Sequence, residues 1–127
     1  MKVLIIDDSS VMRKVIKAAA DMLEIETEEA KDGVEALEKL SSIYNELDLV
    51  LLDWNMPEMN GYDLLVAMKN DENYKDIPVM MVTTEGQQSS IVAAIRAGAC
   101  DYLVKPFSVE ELGSKILECV GQGGDGK

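Results

Sequence analysis

Leu49-Val50-Leu51-Leu52-Asp53-Trp54-Asn55-Met56-Pro57 is a run of four apolar residues that ends in an aspartate, with a proline closing the stretch. The run is too short to span a membrane and is apolar at consecutive positions. That is the pattern of a strand buried on both faces, as in the middle of a parallel sheet. Asp53 is then placed at the carboxyl end of a central strand, the edge at which open α/β sheets hold their ligands. Taken alone, an aspartate there is as readily a turn or cap residue. The other acids of the chain have to decide between the two.

Working outward, the same grammar repeats. Val3 to Ile6 is a second short apolar run, ending in Asp7-Asp8-Ser9-Ser10. A serine there can cap a helix from about Val11 to Leu23, with a predicted apolar stripe of Val11, Val15, Ala19 and Met22. Glu24 to Ala30 alternates Ile25 and Thr27 with glutamates, as an edge strand does. Asp32-Gly33 turns into a helix carrying Val34, Leu37 and Leu40. After the Met56–Gly61 loop a helix is predicted around Leu64, Leu65 and Met68, followed by a polar loop from Asn70 to Asp76. Val79 to Val82 reads as the fourth strand, running into Thr83-Thr84-Glu85-Gly86. A helix from about Gln88 to Ala97 stops at Gly98, a C-terminal cap. Asp101 to Val104 is the fifth strand and ends in Lys105-Pro106. Ser108 and Glu111 form a capping box for a last helix holding Leu112, Ile116 and Val120. Gly121 to Lys127 has no apolar residue and is expected to be a flexible Gly-rich tail beyond a domain of residues 1–120.

Strand and helix alternate five times, which predicts a flavodoxin-like (βα)5 fold, a doubly wound parallel sheet in the order 2-1-3-4-5. At 127 residues this is one domain. No apolar stretch approaches the roughly 20 residues of a membrane span, and no signal peptide is predicted where Lys2 leads directly into a strand. The formal net charge of −12 argues against nucleic acid and suits a cation or a protein with a basic docking patch. Cys100 and Cys119 have no CxxC spacing and fall in apparently helical pattern, so they are expected as reduced thiols of a cytosolic protein. The absence of histidine removes Ser-His triads, His acid/base chemistry and most zinc sites. Carboxylates, hydroxyls, a lysine and a hard metal ion remain.

Every predicted strand but the second ends in a residue with chemical potential: Asp7 and Asp8, Asp53, Thr83, and Lys105. In a parallel sheet these ends share one edge, and strands one and three are neighbours in the predicted order. Three carboxylates drawn together repel unless a cation joins them, and an all-oxygen donor set favours Mg2+. A carboxylate beside such an ion can act as a nucleophile on phosphorus, with Lys105 and Thr83 placed to meet the remaining phosphoryl oxygens.

The ordered set Asp7-Asp8, Asp53, Thr83 and Lys105-Pro106 resembles the receiver domain of two-component response regulators over residues 2 to 120. Within that family Asp53-Trp54-Asn55-Met56-Pro57 and Tyr102-Leu103-Val104-Lys105-Pro106-Phe107 are most similar to the stand-alone chemotaxis regulators. The resemblance implies a phosphoprotein switch more than an enzyme. Asp53 would accept a phosphoryl group from a sensor histidine kinase. Mg2+, or Mn2+ in its place, would be held by Asp8, Asp53 and the Asn55 backbone carbonyl, with Asp7 acting through water. Thr83 and Tyr102 would form the switch pair, and Asn55 and Glu85 would tune phosphate lifetime toward fast self-hydrolysis. Output would be binding of a downstream protein such as a flagellar motor switch component, with a phosphatase as a further partner. The implied protein is a cytoplasmic monomer that binds neither membrane nor nucleic acid. Ser9 departs from the bulkier apolar residue often found there in chemotaxis members, a difference that bears on partner docking and not on the chemistry.

Two other classes fare worse. A haloacid-dehalogenase-like phosphohydrolase wants a second acid two residues after its nucleophile, where this chain has Asn55, and a cap domain. A flavin-binding module would need a hydroxyl- and Gly-rich loop after the first strand, where Asp7-Asp8 would repel the phosphate. Within the receiver reading the alternative is a single-domain phosphorelay intermediate, or a regulator of a non-motility pathway.

Overall fold

The computed structural model describes residues 1–124, with side chains described to Gly121. Elements follow in the order β1 (Lys2–Ile6), α1 (Ser10–Met22), β2 (Glu26–Ala30), α2 (Gly33–Ile43), β3 (Leu49–Leu52), α3 (Gly61–Lys69), β4 (Val79–Thr83), α4 (Gln88–Ala97), β5 (Asp101–Val104) and α5 (Val109–Gly124). A short 3-10 turn, Tyr44–Glu46, leads from α2 to β3. All pairings in the sheet are parallel and its order is β2-β1-β3-β4-β5, as the strand pattern predicts. Among the described residues no helix is long and apolar enough to cross a membrane. The flexible tail expected from Gly121 lies partly outside the described residues, and α5 itself runs on to Gly124.

The sheet alternates its side chains between two cores. Leu4, Ile6, Val50, Leu52, Val79 and Met81 meet Ala36 and Leu40 of α2, Leu64, Leu65 and Met68 of α3, and Ala94 of α4. On the opposite face Val3, Ile5, Leu49, Leu51, Met80 and Val82 meet Ile16, Ala19 and Ala20 of α1 and Leu112, Ile116 and Cys119 of α5. Burial on both faces explains why β3 has no polar position at all. Each large side chain so buried contributes about 1.5–3 kcal/mol.

Helix ends are fixed by the residues that the sequence marks. Ser9 Oγ accepts from Met12 N–H, and Asp32 and Asn60 cap α2 and α3 in the same way. Gly98 closes α4 in the left-handed region at φ 114°. Ser108 and Glu111 exchange two hydrogen bonds, a complete capping box.

The structure corrects the helix faces. Val11 is 70% exposed, Met22 74%, and Val15 is also exposed; of the predicted α1 stripe only Ala19 is buried. Met12, Ile16, Ala19 and Ala20 face the sheet instead. In α2, Val34 and Leu37 are exposed, whereas Ala36 and Leu40 are buried. The common cause is proximity: small residues occupy the line where a helix backbone presses on the sheet, so alanine outranks valine there.

The cysteines are also corrected. Cys100 lies in the turn between α4 and β5, not in a helix, and it is joined to Cys119 of α5 by a disulfide with a Cα–Cα distance of 5.9 Å. The expectation of two reduced thiols fails because α5 runs back along the sheet against β5. That brings its C-terminal half beside the entrance of the strand, a juxtaposition that a sequence separation of 19 does not advertise.

Candidate functional site

Among the described residues the buried polar or charged ones are Asp7, Asp53 and Thr83. All three stand at the carboxyl edge of the sheet: Asp7 and Asp53 directly follow β1 and β3, and Thr83 ends β4. Parallel register brings them together: Ile6 pairs with Leu52, and Asp53 N–H donates to the Ile6 carbonyl at 2.9 Å. Carboxylate oxygens of Asp7, Asp8 and Asp53 lie within 4.8 Å of one another, with Asp7 and Asp53 buried and Asp8 exposed. Two buried acids opening onto one exposed acid form a cup of hard oxygen donors, which fits Mg2+ in size and donor type.

Lys105 closes the cup. Its ammonium donates to Asp7 Oδ2 at 2.8 Å and stands 3.6 Å from Asp53 Oδ2. Its backbone N–H is pinned to the Thr83 carbonyl at 2.8 Å, and the Lys105–Pro106 peptide is cis. Asp7 is held at its other oxygen by the Ser9 N–H at 2.9 Å. Burial pushes the Asp53 carboxyl above its ordinary value, and the charge of Asp7 adds to the rise. The Thr83 hydroxyl, Lys105 and the Asn55 N–H pull against it.

Gly61 lets the β3–α3 loop close over this edge. A Cβ there would stand 2.0 Å from the Asp53 carbonyl oxygen, and Gly61 N–H donates to the Trp54 carbonyl at 2.7 Å. Trp54 stacks on Tyr62 with ring centroids 5.3 Å apart. Asn55 is exposed, and its N–H reaches Asp53 Oδ1 at 3.3 Å.

Tyr102 and Glu85 are coupled more directly than the sequence suggests. The Tyr102 ring is buried in the α2–α4 core and its hydroxyl donates to the Glu85 backbone carbonyl at 2.5 Å. Burial, with the nearby charges of Glu85 and Asp53, pushes the phenol up to about 12. Glu85 N–H donates to Thr83 Oγ1 at 3.2 Å, and the Glu85 carboxylate accepts from Ser90 Oγ at 3.0 Å, at the start of α4. A continuous path thus runs from Thr83 through Glu85 to Tyr102. The carbonyl contact depends on how the β4–α4 loop turns, which no residue spacing encodes.

The fold and this edge define a class: a doubly wound parallel α/β domain with one acidic cup at the carboxyl edge of its sheet. Residues 3–117 match the response regulator receiver domain, and the chain belongs to that family. It is 43% identical over 122 residues to chemotaxis protein CheY1 of Helicobacter pylori, covering 95% of this chain and 98% of that protein. It is 46% identical over 117 residues to chemotaxis protein CheY of Pseudomonas aeruginosa, covering 91% of this chain and 93% of that one. The solved structure of Vibrio cholerae chemotaxis protein CheY4 superposes with a TM-score of 0.85 at 34% identity, over 93% of this chain and 97% of that chain. The chain is thus a CheY-like receiver domain of two-component signalling.

Proposed function

We propose that this protein is a phosphorylation switch in which Asp53 accepts a phosphoryl group from the phosphohistidine of a sensor histidine kinase. One observation carries the reading: the buried polar residues among those described gather at a single sheet edge, around one carboxylate. An Asp53 oxygen forms a bond to phosphorus, the phosphorus–nitrogen bond of the donor breaks, and the leaving imidazole nitrogen takes a proton. Asp8 and Asp53, with the Asn55 carbonyl, would hold Mg2+ or Mn2+, and Asp7 would act through water. The ion supplies charge neutralisation for the phosphoryl oxygens. Lys105, tethered to Asp7, orients toward the same group, and the Thr83 hydroxyl offers it a hydrogen bond. Water attacking the acyl phosphate later regenerates the carboxylate and releases phosphate, and Asn55 and Glu85 would tune the rate of that step.

Output follows from a two-state element. Drawing Thr83 Oγ1 toward a phosphoryl oxygen would compete with its bond from Glu85 N–H and so bias the loop that carries the acceptor of Tyr102. The face built by α4, β5 and α5 would change its affinity for a downstream protein. That protein would be a flagellar motor switch component, with a phosphatase as a further partner and the cytoplasm as the setting; relatives named as chemotaxis proteins support a chemotaxis role. Residues 1–120 would act as the receiver unit.

The test follows Trp54 fluorescence on adding Mg2+ and then a small-molecule phosphodonor, with intact mass as the second readout and Asp53→Asn as control. The expected result is a metal-dependent change, then a transient single-phosphoryl adduct that the Asp53→Asn variant does not form. A metal response with no adduct would refute the acceptor role.

A further inference from the structure

Arg13 and Glu29 bear on the acidic cup without entering it. Arg13 sits in the first turn of α1, and its guanidinium makes two fixed contacts. Nη1 donates to the Asp7 backbone carbonyl at 2.6 Å, and Nε donates to Glu29 Oε1 at 3.0 Å. Glu29 belongs to β2, where it pairs with Ile5 of β1, so its position is tied to the sheet. The Arg13 side chain is 17% exposed, and among the described residues it is the donor to the Asp7 carbonyl. On the other side of the same residue, Asp7 N–H donates to the Ala30 carbonyl at 3.1 Å.

The geometry matters because of what the Asp7 carbonyl is part of. That oxygen lies in the peptide plane that leads directly into Asp8. Asp8 is exposed, and among the described residues no donor holds its carboxylate. Its direction therefore follows the backbone, and the Arg13 contact is the side-chain bond that, beside the Asp7 N–H bond to the Ala30 carbonyl, fixes the backbone there. A planar guanidinium with its donors in a rigid fork suits this task, because it can hold a carbonyl and a carboxylate at once.

We propose that Arg13 is a positioning residue for the cation site, held in place by Glu29, and that the pair aims the Asp8 carboxylate at the Asp53 edge before the ion arrives. This rests on the reading of Asp7, Asp8 and Asp53 as a Mg2+ site. The sign of the effect separates it from plain electrostatics. Removing a positive charge from beside an acidic cup should tighten cation binding if charge alone counts. Removing a positioning group should weaken it. Mg2+ demands near-ideal octahedral geometry and Ca2+ tolerates irregular sites, so misplacing one ligand should weaken Mg2+ more than Ca2+.

The test measures Mg2+ and Ca2+ affinities by Trp54 fluorescence and calorimetry on the full chain for wild type, Arg13→Met, Arg13→Lys, Glu29→Gln and the double variant Arg13→Met with Glu29→Gln. Thermal midpoints in EDTA are taken for each. The expected result is a loss of Mg2+ affinity of about tenfold in Arg13→Met, the size seen when outer partners of a metal ligand are removed. Ca2+ affinity should fall less, Arg13→Lys should recover part of the loss, and Glu29→Gln on the Arg13→Met background should add little. Unchanged or tighter Mg2+ binding in a folded Arg13→Met variant overturns the proposal, as does an equal loss for both ions. If Arg13→Met does not fold, Arg13→Lys and Glu29→Gln carry the same comparison, and a Mg2+ affinity equal to wild type in both overturns it. Wild type that binds no Mg2+ refutes the metal reading itself, and this inference with it.

Discussion

Gly61→Ala is the sharpest perturbation that the structure offers. The added Cβ would stand 2.0 Å from the Asp53 carbonyl oxygen, 2.8 Å from its carbon and 2.9 Å from Trp54 Cα, all of them backbone. Ordinary contact begins near 3.4 Å, so α3 and the end of β3 must part by roughly 1 Å or more in a close-packed interior. Such overpacking costs about 1–3 kcal/mol. Parting also loosens the 2.7 Å bond from Gly61 N–H to the Trp54 carbonyl, about 1 kcal/mol more. The stiffer unfolded chain returns about 0.4–1 kcal/mol. The net loss is about 1–3.5 kcal/mol, or a fall in Tm of roughly 5–15 °C for a domain of this size. Two other glycines calibrate the result. At Gly33 the nearest atom is the flexible Met59 Sδ at 3.0 Å, so Gly33→Ala should cost under about 1 kcal/mol. At Gly121 nothing lies within 4 Å, so Gly121→Ala in α5 should stabilise by about 0.5–1 kcal/mol. Urea unfolding of the three variants in EDTA, with Mg2+ titration beside it, is the assay. The displaced atoms flank the Asp53 carboxylate, so Gly61→Ala should also bind Mg2+ more weakly. A Gly61→Ala protein within about 0.5 kcal/mol of wild type, with an unchanged Mg2+ response, would refute the packing argument.

Other outcomes are equally direct. Because burial raises Asp53, its charged form costs the fold nothing below the ordinary value near 3.8, and the cost grows as pH rises through the raised folded value. Asp53→Asn should therefore be the more stable protein in EDTA at neutral pH, with the gap closing as pH falls toward 3.8; a constant gap would contradict this. Mg2+ at a hundred times its Kd should add about 2.7 kcal/mol to wild type and much less to the variant, read as Tm. Opening the Cys100–Cys119 bond, which spans 19 residues, should cost about 3 kcal/mol of loop entropy, so dithiothreitol should lower Tm. Alkylation of two free thiols in the untreated, unfolded protein would remove that bond from the account. Val15→Glu on the exposed side of α1 should be near neutral in chemical unfolding, whereas Ile16→Ala should cost about 2–5 kcal/mol. The reverse order would restore the predicted stripe.

The strands were legible because their signal is local. Leu49 to Leu52 is apolar at every position, and only a central strand has two buried faces. The ends were legible for the same reason, since the pattern breaks where Asp7, Asp53, Thr83 and Lys105 leave the sheet. Helix rotation was not. Val11, Val15, Ala19 and Met22 follow helical spacing as well as Met12, Ile16, Ala19 and Ala20 do, and hydrophobicity favours the first set. The close approach of helix to sheet selects the second, and that approach is a property of the packed molecule. The disulfide was hidden in the same way, because it joins a turn to a helix that only tertiary packing makes neighbours.

Helix rotation and the reach of the acidic cup are one fact. At 3.6 residues per turn each step along α1 rotates by about 100°. With Ile16, Ala19, Ala20 and Met12 turned inward, Arg13 lies roughly 75° from the middle of the buried face, on the flank where β2 runs. With Val11, Val15, Ala19 and Met22 inward, it would lie roughly 165° away and point into solvent. A single choice of rotation thus determines whether the guanidinium can meet Glu29 and the Asp7 carbonyl at all. The alanines that let α1 press on the sheet therefore serve the site as well as the core, for they hold the helix at the angle that delivers Arg13. Enlarging Ala20, which is 1% exposed, should rotate or lift α1 and weaken Mg2+ binding together with stability. Enlarging Ala18 on the exposed side should change neither. If Ala20→Leu lost stability while keeping full Mg2+ affinity, the orientation of α1 and the aim of Asp8 would be independent, and the link between them would fail.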